Sequence, residues 1–274
     1  MRPCRLCLVA LALASAGACR SSRPATVAAP AATLPPEFIR SYVGQRLILR
    51  HHGGTQRVSL KRDTLAGPSG NCDLGVEVRQ ATFEGGNASF TLETLGVARM
   101  EGQRASGGSR GACGTIAGLL LTVSGFATGA DPEAVRADLG KVLATPEGYL
   151  VAHGVPFDRP TGPEPRQMAS QERDATLEER RLARQLTSWP RVLLRVDPAY
   201  QDPGGRVRHE GELEFVAVVG EDGRVRSPKL RTSVSLAHEE HVIRVLSLWR
   251  FEPARRTEGP LAARVLGRLT FRVY

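Results

Sequence analysis

Residues able to do chemistry are few in this chain, and their spacing decides what they could do. His238-Glu239-Glu240-His241 places two imidazoles at i and i+3 on one helix face. A zinc site needs three or four ligands, and no third ligand follows at a suitable spacing, so the run reads as the solvated start of a helix. His51 and His52 are adjacent in a strand or turn, so they point apart and read as surface residues. The Gly-rich stretch from Gly107 to Gly114 lacks a Gly-Lys-Ser ending and a dinucleotide fingerprint, and reads as a loop. No Gly-x-Ser-x-Gly stands between a strand and a helix. Glu178-Glu179-Arg180-Arg181 is a solvated helix face, and Trp249 and Phe251, led by an apolar helix, read as core rather than as a stacking pair for a ligand. No catalytic, cofactor-binding or metal-binding residues are therefore assigned, and the expectation is a protein without enzymatic activity or cofactor.

The cysteines carry chemistry of another kind. Arg2 and Arg5 precede a short apolar run, Leu6 to Ala18, in the pattern of a secretory signal. The run is shorter than the roughly 20 residues that span a bilayer. It ends in Ala16-Gly17-Ala18-Cys19, which resembles the bacterial lipobox, where the Cys is lipidated and becomes the first residue. Ala16 stands where Leu is usual, so a plain signal peptide cut near Ala18 is the alternative. Beyond Cys19 only Cys72 and Cys113 remain. In an oxidising periplasm one disulfide between them would close a loop of about 40 residues and stabilise by roughly 3 to 4 kcal/mol. Two unpaired thiols are the alternative.

Charge and composition narrow the class. The formal charge is +9, with 37 Lys and Arg against 28 Asp and Glu. The basic residues are interleaved with acidic ones along the chain, which is not the footprint of a nucleic-acid protein. Aromatic residues make up 5%, so cores must rest on Val, Leu, Ala and Ile.

These residues need elements to position them, and the patterning gives an α+β expectation in five segments. Residues 1–19 form the signal. Residues 20–36, rich in Ala, Pro and Ser, cannot bury a core and read as a disordered tether. Residues 37–158 form a mostly antiparallel β domain of unknown type: Arg46 to Arg50, Gln56 to Leu60, Gly75 to Gln80, Ala88 to Leu92, Ala98 to Glu101 and Leu119 to Ser124 are short β-prone runs between Gly-rich turns. One helix follows from Asp131, with Pro132 at its first position. Residues 159–190 form a linker, Pro-rich and then helical from about Gln167 to Leu186.

Residues 191–274 form the last domain. Leu213, Phe215, Ala217 and Val219 share one face of a strand. Gly220-Glu221-Asp222-Gly223 supplies a tight turn, and Arg224 to Arg231 returns as a second strand. Ser235 to Leu248 has helical period, and Ala262 to Val273 reads as a closing strand, giving β-β-α-β.

Tyr200, Gly211, Phe215 to Val219, Asp222-Gly223, Ser233, Trp249-Arg250-Phe251-Glu252-Pro253-Ala254, Gly259-Pro260 and a last strand ending in Phe271 fall in one order and spacing. In this the segment resembles the TonB C-terminal domain family over about 85 residues, a third of the chain. Tyr200-Gln201 stands where the family usually has Tyr-Pro. The resemblance implies structural roles for Tyr200, Gly211, Asp222, Gly223, Trp249, Phe251 and Pro253. It also implies a partner-binding edge along Arg264, Val265, Leu266, Gly267, Arg268, Leu269, Thr270 and Phe271, where an added strand completes free N–H and C=O groups. Function by resemblance is a periplasmic protein-binding module, an adaptor in envelope transport held by its lipid at the membrane. Its partners would be envelope proteins such as TonB-dependent outer-membrane receptors, and not nucleic acid. Alternatives are an energy transducer, which would need a membrane-spanning anchor, and an enzyme acting through residues 37–158.

Overall fold

Alternation of apolar and polar residues supplies most of this fold. A computed structural model of the chain describes residues 36–50, 57–60, 72–84, 87–101, 118, 120–127, 132–157, 159–198, 211–232 and 236–271. The signal, Cys19, nearly all of the tether, His51, His52, Cys113, Asp131, Tyr200 and Ser233 lie outside the described residues.

Helix α1 (Pro36–Arg40) leads into β1 (Arg46–Leu49), β2 (Arg57–Leu60), β3 (Leu74–Glu84), β4 (Asn87–Met100) and β5 (Leu120–Ala127). Then come α2 (Pro132–Val142), β6 (Leu143–Ala144), α3 (Pro146–Ala152), β7 (Ala169–Ser170), α4 (Leu177–Arg184) and β8 (Leu186–Ser188). The remainder is β9 (Arg191–Pro198), β10 (Gly211–Val219), β11 (Val225–Leu230), α5 (Leu236–Leu246), β12 (Arg250–Glu252), β13 (Ala254–Arg256), β14 (Gly259–Leu261) and β15 (Ala263–Phe271). The protein is β-rich with few helices, and its sheets are largely antiparallel.

One sheet crosses the expected boundary between the β domain and the C-terminal segment. Its order is β12-β9-β4-β3-β1-β6, with β5 also on β4 and β2 on β5. Strand β9 pairs with β4 from Gly96↔Pro198 to Met100↔Leu194. The physical reason lies in β4, which runs through Leu95 and Gly96 where sequence suggested two shorter strands. At Gly96 an added Cβ would sit 2.0 Å from the Asp197 carbonyl oxygen, so only glycine admits β9 this close. All described residues belong to one unit, Ala32–Tyr274.

The expected linker helix is also reapportioned. Thr176 caps α4 with a full capping box, accepting from the Glu179 N–H while Glu179 accepts from the Thr176 N–H. That signal starts the helix at Leu177, and the residues before it bind elsewhere. Ala169–Ser170 form β7 against β15, and Leu186–Ser188 form β8 against β13. Leu182 is buried in the core, and Glu179 pairs with Arg264, so this face is not wholly solvated.

Two apolar clusters result. One gathers Ile39, Val76, Phe90, Leu121, Phe126 and Leu139 between α1, α2 and the β3-β4-β5 face. The other gathers Ile48, Leu95, Tyr149, Val196, Phe215, Val245, Trp249 and Leu269, residues from both ends of the chain. Among the described residues no helix is long and apolar enough to cross a membrane.

Candidate functional site

The hairpin between β10 and β11 shows how the C-terminal segment is held. Gly223 has φ +78°, and an added Cβ would lie 2.1 Å from the Phe251 carbonyl oxygen, so glycine is required for both reasons. Asp222, expected only as a turn residue, is buried and gathers the surroundings. It accepts from the N–H groups of Arg224 (3.1 Å) and Gly162 (3.2 Å) and from the guanidinium of Arg226 (2.8 Å). Burial works to raise its pKa, but these backbone donors and the Arg226 charge prevail and hold it below the usual carboxylate value. Arg226 also donates to the Gly162 carbonyl and Arg224 to the Arg159 carbonyl, so the segment before β7 is tied to the hairpin.

Trp249, Arg250 and Phe251 are buried, as core packing requires. Trp249 stands edge-on to Phe215 with ring centroids 5.7 Å apart, and its indole N–H donates to the Val196 carbonyl at 3.0 Å. Arg250 donates from Nε to Glu147 of α3 at 2.7 Å, and from one terminal nitrogen to the Ser247 and Trp249 carbonyls. Arg224 reaches the same Glu147 oxygen at 3.0 Å. The signature segment is therefore anchored on a carboxylate from the other half of the chain.

The expected partner-binding strand, β15, is not free along its whole length. Its inner edge pairs with β10 from Ala263↔Val219 to Phe271↔Gly211. Its outer edge is occupied at the start: β7 runs parallel to it at Ala263↔Ala169 and Arg264↔Ser170. The Gln171 N–H then donates to the Arg264 carbonyl, and the Gln171 side-chain oxygen accepts from the Leu266 N–H at 3.1 Å. Even-numbered residues of β15 thus face outward, by the period of two. From the Leu266 carbonyl through Arg268 to Thr270, no strand pairs with this edge among the described residues. Of the expected edge, Arg264 is paired with β7, and the part beyond Leu266 carries no strand on its outer side among the described residues. Leu266 and Arg268 are exposed there, while Val265 and Leu269 face the core. Arg268 reaches back to Glu214 at 3.3 Å.

The opposite edge of this four-stranded sheet, β11, is closed to augmentation by its own sequence. Pro228 has no N–H to donate, Ser227 has φ +46°, and the register shifts between Val216 and Val218. Sequence reasoning passed over this edge, although Pro228 was the available signal.

Two further expectations meet different outcomes. Cys72 is disulfide-bonded; Cys113, its expected partner, lies outside the described residues. His241 is not part of a solvated helix start: it is 9% exposed, because the β4 side of the large sheet covers this turn of α5. Its ring is hydrogen-bonded to the Leu95 backbone, and its Nε2 is buried without a hydrogen-bond partner. Burial first and then the Arg244 charge push its pKa down to about 4, against an opposing pull from Glu93. A neutral His241 in the folded state binds fewer protons than the unfolded chain between about pH 6.5 and pH 4, so stability should fall as pH falls across that window. The loss expected is on the order of 3 kcal/mol at pH 4. Urea midpoints measured from pH 7 to pH 4 check this, and His241→Leu should flatten the decline.

No protein-family model matches the chain, and no curated protein matches it in sequence.

Proposed function

We propose that this is an exported envelope protein that acts as an adaptor, binding a periplasmic partner by pairing an extended segment of it along the outer edge of β15 from Leu266 to Phe271. The observation that carries this reading is the contrast between the two edges of one sheet. The β11 edge is interrupted by Pro228 and a bulge, whereas the distal outer edge of β15 offers the N–H and C=O groups of Arg268 and Thr270 with no strand on them among the described residues. An edge of this kind binds extended peptide through main-chain hydrogen bonds and takes specificity from side chains on the two faces. The order β10-β11-α5-β15 is in keeping with a TonB-type module. Arg2, Arg5 and the run to Cys19 favour export with a lipid on Cys19, which palmitate labelling lost in Cys19→Ser would establish. A lipid anchor cannot pass force from a motor in the inner membrane, which favours an adaptor over a transducer.

The edge is tested by photocrosslinking in the envelope from the full chain. A photoreactive residue at Arg268 should give a discrete adduct with one envelope protein, and one at Lys229 on β11 should not. Arg268→Pro removes the outward N–H without touching the ladder to β10 and should abolish an adduct formed from Leu266. Equal adducts from both edges, or an adduct that persists with Arg268→Pro, would sink the proposal.

A further inference from the structure

A second candidate site lies on the other side of the molecule's chain order, between α1, β1, α2, β6 and α3. These elements enclose an open cleft of about 370 Å³. Its wall is mixed: Leu47, Leu143 and Ala152 are apolar, while Tyr42, Arg50 and Arg136 are polar. Among the described residues no Asp or Glu lines it.

The described lining of this cleft brings two guanidinium groups together with no carboxylate in it. Arg224, Arg226 and Arg250 are each neutralised by Asp222 or Glu147. Among the described residues neither Arg50 nor Arg136 has an ion-pair partner, and both line the same cavity. Arg136 is positioned by other means. Its guanidinium carbon stands 5.1 Å from the Phe38 ring centroid, and it is hydrogen-bonded to the Tyr42 hydroxyl. Arg50 follows β1 directly, and its backbone N–H donates to the Val142 carbonyl at 2.8 Å, which fixes where its side chain leaves the sheet. Two guanidinium groups on one cleft wall, Arg50 partly buried and Arg136 exposed, offer an anion between them two charge-assisted contacts. The apolar wall is of the kind that takes up a hydrocarbon segment.

We propose that this cleft binds a small organic anion, with its acid headgroup between Arg50 and Arg136 and a short apolar chain against Leu47, Leu143 and Ala152. Among the described residues the lining holds hydroxyls and guanidinium groups but no carboxylate, imidazole or thiol to act as a base, so the arrangement suits binding rather than turnover. This site is independent of the β15 edge, and neither proposal needs the other.

Isothermal titration of the full chain with hexanoate, hexyl phosphate, hexanol and hexylamine tests it. Both anions present the shared chemistry, and the tighter of the two identifies the headgroup. One saturable site is expected for at least one anion in the millimolar range or tighter. Arg50→Gln and Arg136→Gln should each weaken it by about 10-fold or more, as loss of a charge-assisted contact requires. Thermal melting of the unliganded variants separates loss of the site from loss of the fold. If Arg136→Gln melts early because it no longer stacks on Phe38, Arg50→Gln alone carries the test. Absence of saturable binding for either anion, equal binding of hexanol or hexylamine, or undiminished binding by a folded Arg50→Gln would overturn the proposal.

Discussion

Trp249→Ala is expected to lower stability by about 4 kcal/mol, the range for removing a large buried aromatic side chain. Small domains have only about 5–15 kcal/mol in hand, so the variant would be close to unfolding at room temperature. Trp249 is 5% exposed, packs edge-on to Phe215, and donates its indole N–H to the Val196 carbonyl. Val196 belongs to β9, which ladders with β4, so the damage should reach both halves of the chain. The expected result in urea is one transition at a lower midpoint, with amide protection in β4 and in β10 lost together. Melting of β10 and β15 alone, with β3, β4 and β5 intact, would mean that the shared sheet does not couple the halves. Trp249→Phe should cost less, because it keeps most of the packing and loses one hydrogen bond, about 1 kcal/mol.

Glu147→Gln is expected to cost about 3 kcal/mol, because it removes the carboxylate that answers the buried Arg250 guanidinium and shares Arg224 with Asp222. Arg250 Nε lies 2.7 Å and Arg224 Nε 3.0 Å from the same Glu147 oxygen, and the Arg250 side chain is 9% exposed. Gln preserves the volume, so the loss would be electrostatic rather than a cavity. Replacing both partners, as in Glu147→Leu with Arg250→Met, should recover part of the loss, since Arg224 keeps Asp222 and no buried charge is then left unanswered. Burial acts to raise the Glu147 pKa, but Arg250 outweighs it and leaves the value below that of a free glutamate. Its contribution is therefore present above the ordinary carboxylate pKa and lost as pH falls through the lower folded value. Chemical denaturation of both variants at neutral and acidic pH checks the size and the sign. A Glu147→Gln protein as stable as the parent would remove the salt bridge from the account.

Local patterning made much of the fold legible, and long-range pairing made the rest illegible. The faces of β10 followed from its alternation, because Leu213, Phe215, Ala217 and Val219 are all buried. The burial of Trp249 and Phe251 followed from the apolar helix before them. What composition could not show is that β9 lies beside β4, since that contact depends on the absence of a side chain at Gly96 rather than on any periodicity. Residues 159–190 looked like a linker because they are polar and proline-rich. Their polar groups are instead spent on backbone contacts to Arg224, Arg226 and Leu266, which no propensity reports. His241 was misread for a related reason: a helix face rich in His and Glu is solvated only where nothing packs on it, and here the sheet does. That the start of β15 is covered by β7 was not legible, because the two residues of β7 carry no strand pattern of their own.

The most direct test of edge recognition is amide-resolved hydrogen exchange on the protein alone and on the complex recovered through the Arg268 adduct. The account predicts that the Arg268 and Thr270 amides exchange freely in the unbound protein and become protected in the complex, while Lys229 is unchanged. Protection that appears along β11, with Arg268 and Thr270 exchanging as before, would contradict it.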